Sequence, residues 1–334
     1  MQDSRQITFI EEKQYPLWDE FVMSSPQGSF FYTLAWATAL QNTFRRSFKI
    51  AVCHKKELWL GGTLYFINKK LGIPLITPLP LNFYNTPLFY KPENEKYQKT
   101  LAHMAEISND FINFFTANYP IWILTSPPET EDIRAYQWQD CDVTPAYSYV
   151  LDLKNGDDPS NRYSQSVRRK LNQSKKLESK IDENTDTGPF IDLYRQSYER
   201  HRIKPLISNE QLAILLSNLM KIPEIKLFYL SINDRIVAGR IICKAKNRVY
   251  DILAGSVDKT GIGSVILMNY LINRYQSSCI SFDFMGAGHP QVEQFKRGFG
   301  PQLVHGFNIT GPMKFPYSLL YKYQLSALRG RRRL

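Results

Sequence analysis

Apolar positions along this chain switch between a period of two and a helical period, and the switches mark out its elements. Gln6–Glu12 alternates as a strand, and Trp18, Phe21 and Val22 fall on a short helix. Pro26 and Gly28 turn the chain before a helix carrying Phe31, Leu34, Trp36 and Leu40. Phe48–Cys53 and Leu58–Ile67 read as a hairpin about the polar His54–Glu57, and Leu75–Tyr90 as a further extended region. Asn94–Tyr119 has helical spacing, Ile121–Leu124 reads as a buried strand, and Cys141–Leu153 as a long strand region.

A comparable order returns in the second half. Ser179–Glu183 predicts a strand, and Pro189–His201 and Gln211–Met220 predict two helices. Lys226–Ile232 and Arg235–Ala245 form a hairpin about Asn233-Asp234, and Arg248–Ala254 continues that sheet. Gly261–Tyr275 is a helix and Ile280–Phe284 a strand that ends in a glycine turn at Met285-Gly286-Ala287-Gly288. Pro290 suits the first turn of the next helix, where its missing N–H has no intrahelical partner. Val292, Phe295 and Phe299 recur along it at helical spacing, with Lys296 and Arg297 beside them. The repetition is one of element order, without visible identity, and the polar Asn155–Ser160 lies between the halves.

The stretch FDFMGAGHPQVEQFKRGFG resembles the C-terminal signature of the Fem-type aminoacyltransferases, in which an aromatic-Asp-Phe strand end and a glycine precede FK-x-x-FG. The resemblance covers most of the chain and is strongest from about Arg162 to Gly300. It implies an α+β protein of two tandem GNAT-like acyltransferase domains, each a splayed mixed sheet flanked by helices. The expected boundaries are 1–155 and 156–325, with a basic tail at 326–334. The resemblance also implies that Lys296 lies near the acyl donor with Phe295 packed beside it. By the same likeness, Ser197-Tyr198-Glu199-Arg200 matches a T-x-x-R helix end, placing Tyr198 and Arg200 on the acceptor side. The aromatic turn of the first half, with Tyr32 and Trp36, joins them there. In family members that use nucleotide-linked acceptors, a lysine follows near the end of that helix, where this chain reads Thr38-Ala39-Leu40-Gln41.

Composition is that of an ordinary globular protein, with 43% apolar and 22% charged residues. No segment reads as a membrane span, and MQDSRQITFIEEK lacks the features of a signal peptide, so a cytoplasmic location is expected. Cys53, Cys141, Cys243 and Cys279 are far apart, which predicts buried free thiols and no metal site. The net charge of +11 is unevenly spread: residues 1–150 carry 13 Lys/Arg against 15 Asp/Glu, and the remainder 29 against 16. A basic second half, with Arg329, Arg331, Arg332 and Arg333 in its tail, suits an anionic partner.

Acyl transfer to an amine needs a cradle for the donor's phosphates, a donor to the carbonyl oxygen and a route for the amine proton. The cradle is expected at Lys259, Gly261 and Gly263, where a helix begins and backbone N–H groups can approach an anion. Asp258 there stands where a coenzyme A site has a basic or amide residue. Arg297 is a further candidate on the donor side, as are Arg168, Arg169 and Lys175 in the basic segment Arg162–Lys180, alternatively a solvated linking helix. The carbonyl oxygen is expected to meet backbone amides of a bulged strand at Arg248–Gly255, with Tyr250 on one face. Asp283 is a candidate base, or a cap of its turn, or a partner of Lys296. The chain thus reads as a Fem-like N-acyltransferase without a resident cofactor. Its donor would be an aminoacyl-tRNA or an acyl-CoA, and its amine acceptor a possible cell-wall precursor. The other reading is a non-catalytic protein that binds RNA or another polyanion.

Overall fold

The computed structural model describes residues 4–92, 94–154, 158–201, 203–286, 290–313 and 316–317. The expected basic tail at 326–334, most of the glycine turn at 287–289 and part of the polar stretch after Lys154 fall outside them. The chain divides into two compact units. The first is Met1–Ala146 with a C-terminal segment that starts at His305, and the second is Tyr147–Val304.

The first unit contains β1 (Gln6–Phe9), α1 (Tyr15–Ser24), α2 (Leu34–Phe44), β2 (Phe48–Lys55), β3 (Leu58–Phe66), β4 (Asn68–Lys70) and β5 (Ile73–Leu75). After these come β6 (Leu88–Phe89), α3 (Tyr97–Asn118), β7 (Ile123–Thr125) and α4 (Arg134–Trp138). One sheet has the order β1-β2-β3-β6, and β4 pairs with β5 as a separate small hairpin. The long helix α3 buries Ile107, Phe111, Ile112 and Phe115 against Ala51, Cys53 and Tyr65 of that sheet. Leu75–Tyr90 forms much less strand than its aromatic content predicts. Pro78, Pro80 and Pro87 cannot donate to a ladder, so regular pairing survives only at its two ends.

The second unit carries the end of β8 (Asp142–Asp152), then α5 (Gln165–Ser174), β9 (Ser179–Asn184), α6 (Gly188–His201) and α7 (Asn209–Leu219). It continues through β10 (Ile225–Ile232), β11 (Arg235–Ala245), β12 (Arg248–Ser256), α8 (Ile262–Tyr275), β13 (Ser281–Asp283) and α9 (Pro290–Arg297). Among the described residues the last strand is β14 (Gln302–Thr310), which from His305 on belongs to the first unit, where Asn308–Thr310 pair with β7. From β9 to α9 the order is the one expected from the hydrophobic pattern, and the final strand completes the order that the GNAT resemblance implies.

Its mixed sheet runs β8-β13-β12-β11-β10-β9. Only β12 and β13 pair in parallel, as their connection through α8 requires. Leu267, Met268, Leu271 and Ile272 of α8 join Phe228, Ile242, Val249, Phe282 and Phe284 of the strands in one core. Helix α6 lies directly on β12: a Cβ on Gly255 would come 2.7 Å from the Tyr194 backbone nitrogen, so only glycine allows this approach. Among the described residues, no helix is long and apolar enough to cross a membrane.

Candidate active site

The site is organised by an irregularity between β11 and β12. Ile242 pairs with Asp251, but Ile241 pairs with Leu253, so Ile252 is an extra residue in β12. The slip has a direct consequence for charge. Arg240 sits opposite Ala254, three residues from Asp251, and in a regular strand residues three apart face opposite ways. The bulge puts Asp251 on the face of Arg240, and the two form a buried ion pair between the guanidinium and Asp251 Oδ2. Both residues are only 6% exposed. The Arg240 guanidinium also lies over the Phe295 ring, 5.3 Å from its centroid.

Next to this pair, β13 ends in a turn that two side chains hold from opposite directions. Asp283 is fully buried, and its Oδ1 accepts the Ser148 hydroxyl and the Met285 backbone N–H, each at 2.8 Å. Met285 and Gly286 both take positive φ, at 50° and 59°, which turns their carbonyls together. The Lys296 ammonium, reaching in from α9, donates to the carbonyl oxygens of Met285 and Gly286. Burial drives the Lys296 pKa down to about 8. Asp251 and Asp283 oppose that shift, and Arg240 adds to it. Arg240, Asp251, Asp283 and Lys296 thus form one buried group of two cations and two carboxylates. Tyr250, one residue before Asp251, is buried and lies beside Asp283 in the parallel register.

The start of α8 differs from the open phosphate cradle that its glycines suggest. Asp258 Oδ2 accepts the Gly263 N–H at 2.7 Å, and its Oδ1 accepts the N–H and hydroxyl of Thr260 at 2.8 and 2.7 Å. Partial burial pushes the Asp258 pKa up, but these bonds outweigh it and hold the carboxyl below its ordinary range. The anion at this helix terminus is therefore the chain's own. Gly261 takes φ +70°, and a Cβ there would lie 2.8 Å from the Lys170 ammonium nitrogen. Arg200, expected on the acceptor side, donates to the Asp258 carbonyl at 2.9 Å and so belongs to this turn. Lys259 is exposed beside it.

The remaining candidates are spread more widely. Arg168, Arg169 and Lys175 are exposed on α5 and at its end, while Val167 holds the helix to the core. Arg297 also points outward and pairs with Glu293 at 2.7 Å, unlike its buried neighbour Lys296. Tyr198 is half-buried and packs on Tyr194, with ring centroids 4.6 Å apart. Tyr32 and Trp36, expected on the acceptor side, are both fully buried in the first unit. Trp36 packs on Phe30, Phe31 and Phe83, and Tyr32 bonds Thr86 at 3.3 Å. Their aromaticity serves a core.

Sequence reading passed over Arg240, Asp251, Ser148 and Lys170. Arg240 and Asp251 did carry a signal, since each is a charge inside an otherwise apolar strand (VAGRIIC and VYDILAG). Among the described residues, no group of three or more His, Cys, Asp or Glu could hold a metal ion.

Residues 161–297 match the family model described as an acetyltransferase (GNAT) domain. The matched span contains Arg240, Asp251, Asp283 and Lys296, so the site lies within the stretch that is similar to a GNAT domain. A search of curated proteins finds no significant match. Among solved structures, FemX is 12% identical with a TM-score of 0.63, the alignment covering 91% of this chain and 96% of that one. The C-terminal domain of a putative lysylphosphatidylglycerol synthetase from Agrobacterium fabrum is 10% identical, with 95% and 96% covered and a TM-score of 0.54. A tandem GNAT protein from the clavulanic acid pathway is 9% identical, with 93% and 100% covered and a TM-score of 0.51. At such identities the likeness is one of fold: α+β, with the tandem GNAT architecture.

Proposed function

We propose that the protein is an N-acyltransferase that moves an acyl or aminoacyl unit from an activated ester or thioester to an amine. The observation that carries this reading is the buried Lys296, held at the end of β13 and close to the bulged β12 within the GNAT-matching stretch. In the reaction, the amine nitrogen bonds to the donor's carbonyl carbon and the carbonyl oxygen gains negative charge. The bond to the ester oxygen or thioester sulfur then breaks, the leaving group takes one proton, and the amine's surplus proton passes to solvent. A buried cation stabilises the charged intermediate most effectively where water is excluded. Lys296 supplies that cation, and Asp283 positions the turn whose carbonyls hold it.

An aminoacyl-tRNA is the donor we favour over an acyl-CoA. The N-terminus of α8 already holds the Asp258 carboxylate, so a diphosphate would have to displace it. The exposed Arg168, Arg169 and Lys175 suit a longer polyanion. These same three charges favour the second reading, a non-catalytic polyanion-binding protein. Incubating the protein with alanyl-tRNA or acetyl-CoA and a panel of primary amines, followed by mass spectrometry, separates the two. Amide product from either donor supports the transferase. Tight tRNA binding without amide product from any donor overturns it in favour of the second reading.

A further inference from the structure

We propose that Asp251 is a substrate-binding residue whose Oδ1 receives a primary ammonium group, while Arg240 holds its other oxygen. The choice of ligand class rests on the transferase reading, but the geometry stands without it. Asp251 Oδ2 is bound by Arg240, whereas Oδ1 is buried with no hydrogen-bond partner. An ionised carboxylate has about four acceptor positions, and leaving one oxygen dry is among the more costly arrangements in a protein interior. Buried polar atoms are otherwise nearly always paired, so an orphan of this kind marks a place for a ligand or an ordered water.

The surroundings narrow the ligand. Oδ1 can only accept, so the missing partner must donate, which excludes carboxylates and phosphates. A guanidinium binds best as a fork across both carboxylate oxygens, and Arg240 already occupies one. A divalent metal would need further ligands, and no such group exists among the described residues. A compact ammonium, a point charge with three donors, fits the single available oxygen. The four buried charges of Arg240, Asp251, Asp283 and Lys296 balance, so a bound ammonium adds one net positive charge, which an acceptor amine gives up as a proton to solvent before its nitrogen attacks.

Position supports the same conclusion. Asp251 directly precedes the extra residue Ile252, and the bulge is what turns its side chain to Arg240. Through the Arg240–Phe295 contact the pair is tied to α9, the helix that carries Lys296. The ammonium could belong to the acceptor amine or to the α-amino group of an aminoacyl donor. Both are the same chemistry at this oxygen.

The test titrates the full chain with propylammonium chloride, following the backbone amide resonances of β12. Methylguanidinium and tetramethylammonium serve as controls. The expected result is saturable propylammonium binding, about tenfold weaker binding of methylguanidinium and none of tetramethylammonium. Asp251→Asn should weaken propylammonium at least tenfold. If that variant does not fold, Arg240→Leu combined with Asp251→Leu leaves no buried unpaired charge and must show the same loss. Equal affinity in wild type and variant, or equal response to all three cations, would mean that only water occupies the site, and the proposal fails. Transfer assays separate the sources. A raised KM for the amine in Asp251→Asn identifies the acceptor, and lost discrimination between alanyl and N-acetylalanyl esters identifies the donor. If wild type turns over no donor yet propylammonium binding still depends on Asp251, the transferase reading falls and this site remains.

Discussion

The Lys296 ammonium donates to the Gly286 carbonyl oxygen at 2.7 Å, tying α9 to the turn that ends β13. If that cation also serves the intermediate's developing charge, Lys296→Met should lower the rate of transfer by about a hundred- to a thousandfold. Single-turnover kinetics with an activated ester measure this. A rate within a few-fold of wild type would remove Lys296 from the mechanism.

Stability should respond to pH through the same residue. Burial lowers the Lys296 pKa from 10.5 to about 8, so the folded chain loses this proton before the unfolded chain does. Between those values the unfolded state binds more protons, and stability rises with pH by up to about 1.4 kcal/mol per unit from this group. Urea denaturation from pH 7.5 to 9.5 should show wild type gaining on Lys296→Met across the range. Activity should move the other way and decline above about pH 8, as the cation is lost. A constant gap between wild type and variant would contradict both.

Asp258→Ala removes the carboxylate that caps α8, and should cost about 0.5–2 kcal/mol in chemical denaturation. The variant also frees the Gly263 and Thr260 N–H groups. Coenzyme A and inorganic pyrophosphate should therefore bind it more tightly than wild type, as read by calorimetry. Tighter coenzyme A binding by wild type would argue that Asp258 does not obstruct a diphosphate.

Arg168→Ala and Lys175→Ala remove exposed charges without disturbing the core contact of Val167. Each should weaken tRNA binding, and each lost phosphate contact should reduce the slope of log K against log salt by roughly 0.7–0.9. Titrations at several salt concentrations give the slope directly. Unchanged slopes would place the polyanion elsewhere.

Trp36→Ala should destabilise the protein by about 3–5 kcal/mol, because the side chain is fully buried among Phe30, Phe31 and Phe83. Tyr32→Phe should leave the KM for the amine unchanged. A selective rise in that KM, with stability intact, would restore the acceptor role that the sequence suggested for Tyr32.

Periodicity by itself determined the element order of the second unit, from Ser179 to the helix of Phe295. A strand's period of two and a helix's of 3.6 are local properties, visible wherever one face is buried. Lys296 was singled out by the resemblance of its FKRGFG stretch to the Fem-type signature, which spacing alone does not supply. Tertiary structure decided what those residues do. The pairing of β7 with β14, far apart in the chain, leaves no local trace. Aromatic side chains at Tyr32 and Trp36 read alike whether they line a cleft or fill a core. Asp258 was visible beside its glycines, but only the folded turn aims its carboxylate at the Gly263 N–H. The Arg240–Asp251 pair depends on one extra residue, Ile252, because a single slip in register carries a side chain to the other face of a sheet.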